Sequence, residues 1–552
     1  MKLRLLISFT ATLCGLFSAT AQPAAGRHTS RPGVYAITPQ TALSYESGLA
    51  PLADYLRSYI DVGTTGERMS ADRAIVLSTD TTLGGEAYRL TVGTDHIEIA
   101  GGTYGGVFNG IQALFRMLPP GVYARKCPLP AEIPCGVTED APRFAYRGMM
   151  LDVARTWIGV PEVKRYIDLF SFHNINKLHL HLSDDEGWRI EIKSHPELTE
   201  IGGFRGGDSP VRPVYGKWSE KYGGYFKQSE MRDLIRYAAE RNIEIIPEID
   251  LPGHSRNIAS VHPEIRCNYP PDTVSTNGYD YRSAWCVARE ENYKLLGDIL
   301  GELCELFPSE YIHVGGDEVD MSQWEQCPDC RALMKRRGMT DTHQLEDLFM
   351  ERMASILRSH GKRPAVWNEA VRTGAFTKEC RVHGWESIKA CQDATTKGYR
   401  TIVMPGQYFY FDMRQSPRED GHDWAAIFDA KKVYGFDFSA FTPEQMRNVE
   451  GLQGAFFSEA YISHEPEKPD YLDYMLFPRV CALSRIAWSG NAEGWDAYYK
   501  ELKERHYPRM AAMDIRFRLF PPKLNYKDGV FTASADDGSK VFYTRDDEPG
   551  EL

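Results

Sequence analysis

The sequence predicts an α/β protein: a (β/α)8 TIM barrel preceded by a small α+β domain. Three observations carry that prediction. From Tyr146 onward, apolar runs of strand length alternate with amphipathic helical stretches, and eight such runs fall before residue 458. Carboxylates and aromatics gather just after those runs, which in a closed barrel is the functional face. No glycine-rich nucleotide fingerprint follows the first run, and this disfavours the alternative, an open doubly wound sheet.

Taken in order, residues 1–21 read as an export signal. Lys2 and Arg4 precede an apolar run over 5–17, and Ala19-Thr20-Ala21 supplies small residues for cleavage before Gln22. Cys14 raises the alternative of a lipoprotein, but Leu13 stands where a small residue is expected before a lipidated cysteine. The expectation is a soluble protein, periplasmic or extracellular, with no membrane span, since no later apolar stretch is long enough. Residues 22–142 form the small α+β unit, with strand-like runs over 74–78 and 96–100, a helical stretch over 105–117 and a Pro-rich edge around 118–134. Within the barrel, expected over 143–506, the strand candidates are 147–153, 177–182, 243–246, 311–314, 364–367, 381–385, 400–404 and 452–457. Pro161 opens a helix with Val163, Ile167 and Phe170 on one face. Met231, Leu234, Ile235 and Ala238 mark the next helix, and Leu296, Leu300, Leu303 and Phe307 another. Residues 507–552 form a tail with one short β segment over 529–544.

A net charge of -12 and the lack of a long basic run disfavour nucleic acid and anionic membranes as partners. Of the 11 cysteines, all but Cys14 lie beyond the signal. In an oxidising compartment the near pairs Cys127/Cys135, Cys267/Cys286, Cys327/Cys330 and Cys380/Cys391 could close local disulfides. Cys327-Pro328-Asp329-Cys330 has the spacing of a zinc or redox pair, but a zinc knuckle needs a second pair at suitable spacing, which the sequence does not show. A loop staple is the expected role, and no metal site is expected.

The most informative stretch is His313-Val314-Gly315-Gly316-Asp317-Glu318. Two adjacent acids follow a buried strand, with paired glycines leaving room for a close approach. Acetal hydrolysis needs one acid that stays charged and one that holds a proton near neutral pH, and like-charge repulsion drives their pKa values apart. The other strand ends supply Asp152 and Arg155, Asp184 to Trp188, Glu248 to His254, Trp367 to Glu369, Trp385 and Glu386, Tyr410 to Asp412 with Trp424, and Phe457 to Glu459. Aromatic rings stack on the CH faces of sugars while carboxylates and arginine take their hydroxyls, so this is the composition of a pyranose pocket.

Four segments in order, Arg147-Gly148-Met149-Met150-Leu151-Asp152-Val153-Ala154-Arg155, 179–188, Pro247-Glu248-Ile249-Asp250-Leu251-Pro252-Gly253-His254 and 313–318, together resemble the family 20 glycoside hydrolases, the β-N-acetylhexosaminidases. The resemblance runs over roughly 146–488, and the first unit is similar to the small α/β domain that precedes their barrel. It implies exo-acting, retaining hydrolysis of terminal β-linked GlcNAc or GalNAc from glycans, with the sugar's own 2-acetamido oxygen as nucleophile and no cofactor. Substrate assistance of this kind is an exception to the usual two-carboxylate scheme. By position, Glu318 is the acid/base and Asp317 stays ionised to orient the acetamido group. Arg155 grips ring hydroxyls with Asp250 holding it, and His254 and Asp184 tune Glu318. Trp367, Trp385 and Trp424 box the acetamido methyl, Tyr410 hydrogen-bonds its carbonyl, and Asp412 and Glu459 contact hydroxyls. One position departs from the family: two residues before the last carboxylate it usually has Trp, and here stands Phe457, which offers less area and no donor.

Other residues read as structural. Trp488 is expected in the core, Arg147 at the far, stability end of its strand, and His179 and His181 as satisfied core histidines. Asp185 and Glu186 read as capping or solvated groups. Two other functions compete. A sugar-binding protein without turnover is disfavoured by the intact Asp-Glu pair with Tyr410, and a metal-dependent hydrolase by the lack of helical two-histidine spacing.

Overall fold

The computed structural model describes residues 26–63, 65–67, 73–267, 283–462, 470–535, 539–545 and 548–551. The export signal expected over 1–21 lies outside them. All eight expected strands form: β1 (Tyr146–Asp152), β2 (Lys177–His181), β3 (Glu244–Leu251), β4 (Tyr311–Gly315), β5 (Arg363–Trp367), β6 (Arg381–Gly384), β7 (Arg400–Val403) and β8 (Val449–Phe456). They close into one barrel, sealed by the parallel pairing of β8 with β1 from Gly451↔Tyr146 to Phe456↔Leu151. Each parallel strand is covered on both faces, which is why β1 and β4 are buried along their whole length.

The three expected helices form as α1 (Val160–Phe172), α2 (Gln228–Ala239) and α3 (Glu290–Leu306), followed by α4 (His343–Ser359), α5 (Ile388–Thr396) and α6 (Arg479–Trp488). Strict alternation fails once. Between β5 and β6 the chain makes only a 3-10 turn, Asn368–Val371, and leaves it through Gly374 at φ 76°.

The first unit is a seven-stranded mixed sheet with the helix Tyr104–Met117 packed on it. Its junction with the barrel is built by residues expected to be structural. Arg147 is fully buried, ion-pairs with Glu86 of the first unit, donates to the Asn174 carbonyl at 2.7 Å and lies 5.1 Å over the Trp488 ring. Trp488 in turn donates to Asp140 at 2.9 Å and shares the first unit's apolar cluster.

The barrel body continues past residue 506, since Tyr507, Met510 and Ile515 are buried against it. Beyond them the tail holds two antiparallel hairpins where one β segment was expected, Lys523–Lys527 with Val530–Ser534 and Phe542–Arg545 with Glu548–Glu551. No helix among the described residues is long and apolar enough to cross a membrane.

The expected local disulfides do not form: Cys127, Cys135, Cys267, Cys286, Cys304, Cys327, Cys330, Cys380, Cys391 and Cys481 are all free thiols. Parallel barrel strands bring the connections after β3 and β4 side by side. Cys267 and Cys286 therefore meet Cys327 and Cys330, a second pair that distance along the sequence concealed.

Candidate active site

β4 delivers the two adjacent acids through a backbone that only glycine permits. Gly315 has φ 70°, and a Cβ there would stand 1.8 Å from Asp250 Oδ1; at Gly316, φ 94°, one would stand 2.7 Å from the Ala370 Cβ. The strand end thus passes flush beneath Asp250 and turns Asp317 and Glu318 into the barrel mouth. Glu318 and His254 themselves sit at φ 47° and 45°. Left-handed backbone at two non-glycine residues costs about 1–3 kcal/mol each, and strain of this kind concentrates at functional sites.

His254 joins the pair. Its Nε2 faces Glu318 Oε2 at 3.4 Å and Asp317 Oδ2 at 3.7 Å, while Nδ1 faces Asp184 Oδ1 at 3.5 Å. Burial opposes a charge on this ring, but the Asp184 and Asp317 carboxylates outweigh it and hold the pKa well above the usual histidine range. The imidazolium, hydrogen-bonded to Glu318, lowers that carboxyl's pKa. Asp317 moves the other way: burial, and then the neighbouring Asp250 carboxyl, raise it well above the carboxylate range. Both shifts run against the expected order, in which Glu318 holds the proton and Asp317 stays charged. Burial is the first cause and the Asp250 carboxyl the second; burial pushes the pKa of Asp250 itself up to about 7, so two neighbouring acids both favour the protonated form.

That placement also corrects the partner of Arg155. Its guanidinium reaches Asp152 at 3.2 Å, Asp184 at 2.8 Å and Glu459 at 3.3 Å. Asp250 instead leans across the bare Gly315 toward Asp317.

Behind Asp184 runs a row of buried charges of alternating sign. His181 Nε2 lies 2.8 Å from Asp184 Oδ2, and His181 Nδ1 lies 2.6 Å from Glu248 Oε2. Glu248 also meets His179 and His313 at 3.0 Å each. Burial works against the charge on His181, but Glu248 and Asp184 raise its pKa well above the usual value, while burial takes His179 down to about 4. His181 is thus a charged link from the barrel interior to His254, not a merely satisfied core residue. Sequence reasoning read His181 as a core histidine, and it placed Asp152, Glu248 and Glu369 at strand ends without giving them a role; Glu369 Oε2 accepts from the Glu318 N–H at 3.3 Å. The available signal was two histidines alternating with leucines on a strand that faces a glutamate on its neighbour.

The aromatics form one wall. Tyr410 stacks on Trp385 at 6.0 Å, Trp424 stands edge-on to both at 5.7 and 6.0 Å, and Phe457 adjoins Tyr410 at 5.1 Å. Trp424 is 56% exposed and forms the rim, whereas Trp367 is 1% exposed and packs against Phe457 and His313 at the base. Phe457 carries Arg155 5.3 Å over its ring. Burial and then Asp317 raise the Tyr410 hydroxyl well above its ordinary pKa, so it remains a donor. Asp412 accepts from the Phe457 N–H at 3.4 Å, and burial beside Glu459 pushes its pKa up to about 8.

Asp185 and Glu186 are buried rather than solvated. Asp185 accepts from the Arg256 N–H at 2.9 Å, and Glu186 pairs with Arg205 at 3.1 Å and with Arg256, and accepts from the Val214 N–H at 2.9 Å. They anchor the long loop between β2 and α2 to the rim.

Comparison with known proteins gives the same picture. The family model for glycosyl hydrolase family 20, catalytic domain, matches residues 144–491, and that for family 20, domain 2, matches 22–141. A beta-hexosaminidase of Vibrio furnissii is 35% identical over 468 residues, covering 82% of this chain and 74% of that protein. One from Akkermansia muciniphila is 31% identical over 431 residues, 77% of this chain and 83% of that protein. Among solved structures, a family 20 exo beta-N-acetylglucosaminidase of Vibrio harveyi in complex with N-acetylglucosamine superposes with TM-score 0.81 at 32% identity, covering 91% of this chain and 78% of that one. The beta-N-acetylhexosaminidase of Streptomyces coelicolor A3(2) gives 0.76 at 29% identity, covering 90% and 97%. With both of its expected domains matched and the barrel mouth built as described, the chain belongs to glycosyl hydrolase family 20.

Proposed function

We propose that this glycoside hydrolase, an exo-acting β-N-acetylhexosaminidase, removes terminal β-linked N-acetylhexosamine by letting the substrate's own acetamido oxygen attack the anomeric carbon. The observation that carries the reading is the joint approach of Asp317 and Glu318 to the single Nε2 of His254, beside the aromatic wall. One carboxyl serves the acetamido group and the other the leaving oxygen, on adjacent positions of one ring.

Proton positions follow from the electrostatics. When the acetamido N–H donates to Asp317, that carboxyl no longer needs the proton it shares with Asp250 and becomes the anion that offsets positive charge on the ring-closed intermediate. Glu318, whose side chain is 52% exposed, loses solvent when the leaving group covers it, and desolvation raises its pKa toward that of a general acid. His254 passes the proton between them, so the charge of the whole cluster stays constant. After the aglycone departs, Glu318 takes a proton from water, which opens the intermediate with retention. Arg155 and Asp412 hold ring hydroxyls, with Glu459 setting the guanidinium, and Trp385, Trp424 and Tyr410 enclose the acetamido methyl and carbonyl.

Release of an aryl alcohol from aryl β-N-acetylglucosaminides tests this. Glu318→Gln is expected to lower kcat by orders of magnitude on a poor leaving group and much less on one that departs without protonation. Equal losses on both would remove Glu318 from the acid role.

A further inference from the structure

The four thiols that meet between the connections after β3 and β4 are not explained by hydrolysis. The sulfurs of Cys267, Cys286, Cys327 and Cys330 all lie within 4.8 Å of one another, and the side chains are at most 4% exposed. Three of the separations are 3.9 Å (Cys267–Cys330), 4.0 Å (Cys286–Cys327) and 3.7 Å (Cys286–Cys330). A disulfide would bring two sulfurs to about 2.05 Å. Four thiolates at about 2.3 Å around a tetrahedral ion are instead about 3.8 Å apart, the edge of that tetrahedron.

The local backbone is that of a ligand pair meeting a ligand pair. The bridge Arg266↔Trp285 and the Cys286 N–H bond to the Ile265 carbonyl at 2.8 Å set Cys267 and Cys286 side by side. Asn292 pins the same corner by donating to the Ile265 and Cys286 carbonyls at 2.8 and 3.0 Å. Cys327 caps the ten-residue helix Pro328–Arg337, and Cys330 follows in its first turn, so the helix dipole favours thiolates there.

We infer that Cys267, Cys286, Cys327 and Cys330 bind one structural Zn2+ as a closed tetrathiolate site. Binding releases the four thiol protons and leaves no open coordination position, so the ion takes no part in hydrolysis. Its place in the fold gives it a purpose. Trp324 Nε1 donates to the Trp285 carbonyl at 3.0 Å, Trp285 Nε1 to Ser255 Oγ at 3.0 Å, and Ser255 Oγ to the Gly253 carbonyl at 2.7 Å. The site therefore clips the connection that carries His254 to the one that carries Asp317 and Glu318. It also withholds four thiols from oxidation.

Metal analysis of the purified full-length chain, produced with zinc available and without chelators, tests this. One zinc per chain is expected, with an X-ray absorption edge showing four sulfurs at about 2.3 Å. Titration with a mercurial should release that zinc as four thiols react, and the melting temperature should fall. Cys330→His, which preserves a zinc ligand, should retain the metal, Cys327→Ser/Cys330→Ser should lose it, and Cys127→Ser in the first domain should leave it unchanged. Should the double variant not fold, the wild-type stoichiometry still decides. Metal-free protein with four free thiols, two disulfides among these cysteines by mass spectrometry, or iron in place of zinc would each overturn the assignment.

Discussion

At the scale of single residues, His254 organises the site, because its one Nε2 faces both acids and its Nδ1 faces Asp184. An imidazolium there holds the pKa of Glu318 down. Removing the charge must let Glu318 keep its proton to higher pH. We expect His254→Gln to move the basic limb of the kcat profile upward by about one unit, alongside a loss of rate. A limb that stays in place or moves downward contradicts the assignment. The identity of the acids was legible in the sequence, since Asp317, Glu318, His254, Asp184 and Arg155 all stand where strands end. Their proton order was not. It depends on Asp250 pressing against Asp317, a contact between neighbouring strands that no local pattern encodes.

At the scale of elements, the strands were legible because parallel barrel strands are short apolar runs, and β1 to β8 all fall where such runs stand. The connections were less so. Asp185 and Glu186 looked like loop charges, yet burial against Arg205 and Arg256 makes them anchors. The fifth connection lacks its helix because nothing between Trp367 and Arg381 repeats with helical period. The sharpest constraint at this scale is the end of β4. Gly315→Ala places a methyl 1.8 Å from Asp250 Oδ1 at a φ of 70°. Because the methyl would also stand 2.6 Å from the Leu251 backbone N, it should lower the melting temperature as well as cut kcat by orders of magnitude, as measured by a thermal melt beside steady-state kinetics. Wild-type turnover would show that Asp250 need not lie against the strand.

At the scale of the whole molecule, the first domain adds no group to the barrel mouth among its described residues, and it packs on the stability end of the barrel. Arg147 carries that junction, fully buried between Glu86 and Trp488. Glu86→Ala strands a buried guanidinium, a change that costs about 3–5 kcal/mol. The urea midpoint should fall accordingly while KM stays near wild type, and an unchanged midpoint would show the domains to be independent. The barrel was readable from eight alternating apolar runs and membership of family 20 from four ordered motifs, whereas the cysteine cluster was not, because its pairs lie on different connections. The account rests on the substrate carrying its own nucleophile. The direct test is NMR of the first product formed from an aryl β-N-acetylglucosaminide, run beside the analogue with a hydroxyl in place of the acetamido group. The β anomer should appear first and the analogue should be cleaved orders of magnitude more slowly. An α anomer formed first, or equal cleavage of the two substrates, would contradict it.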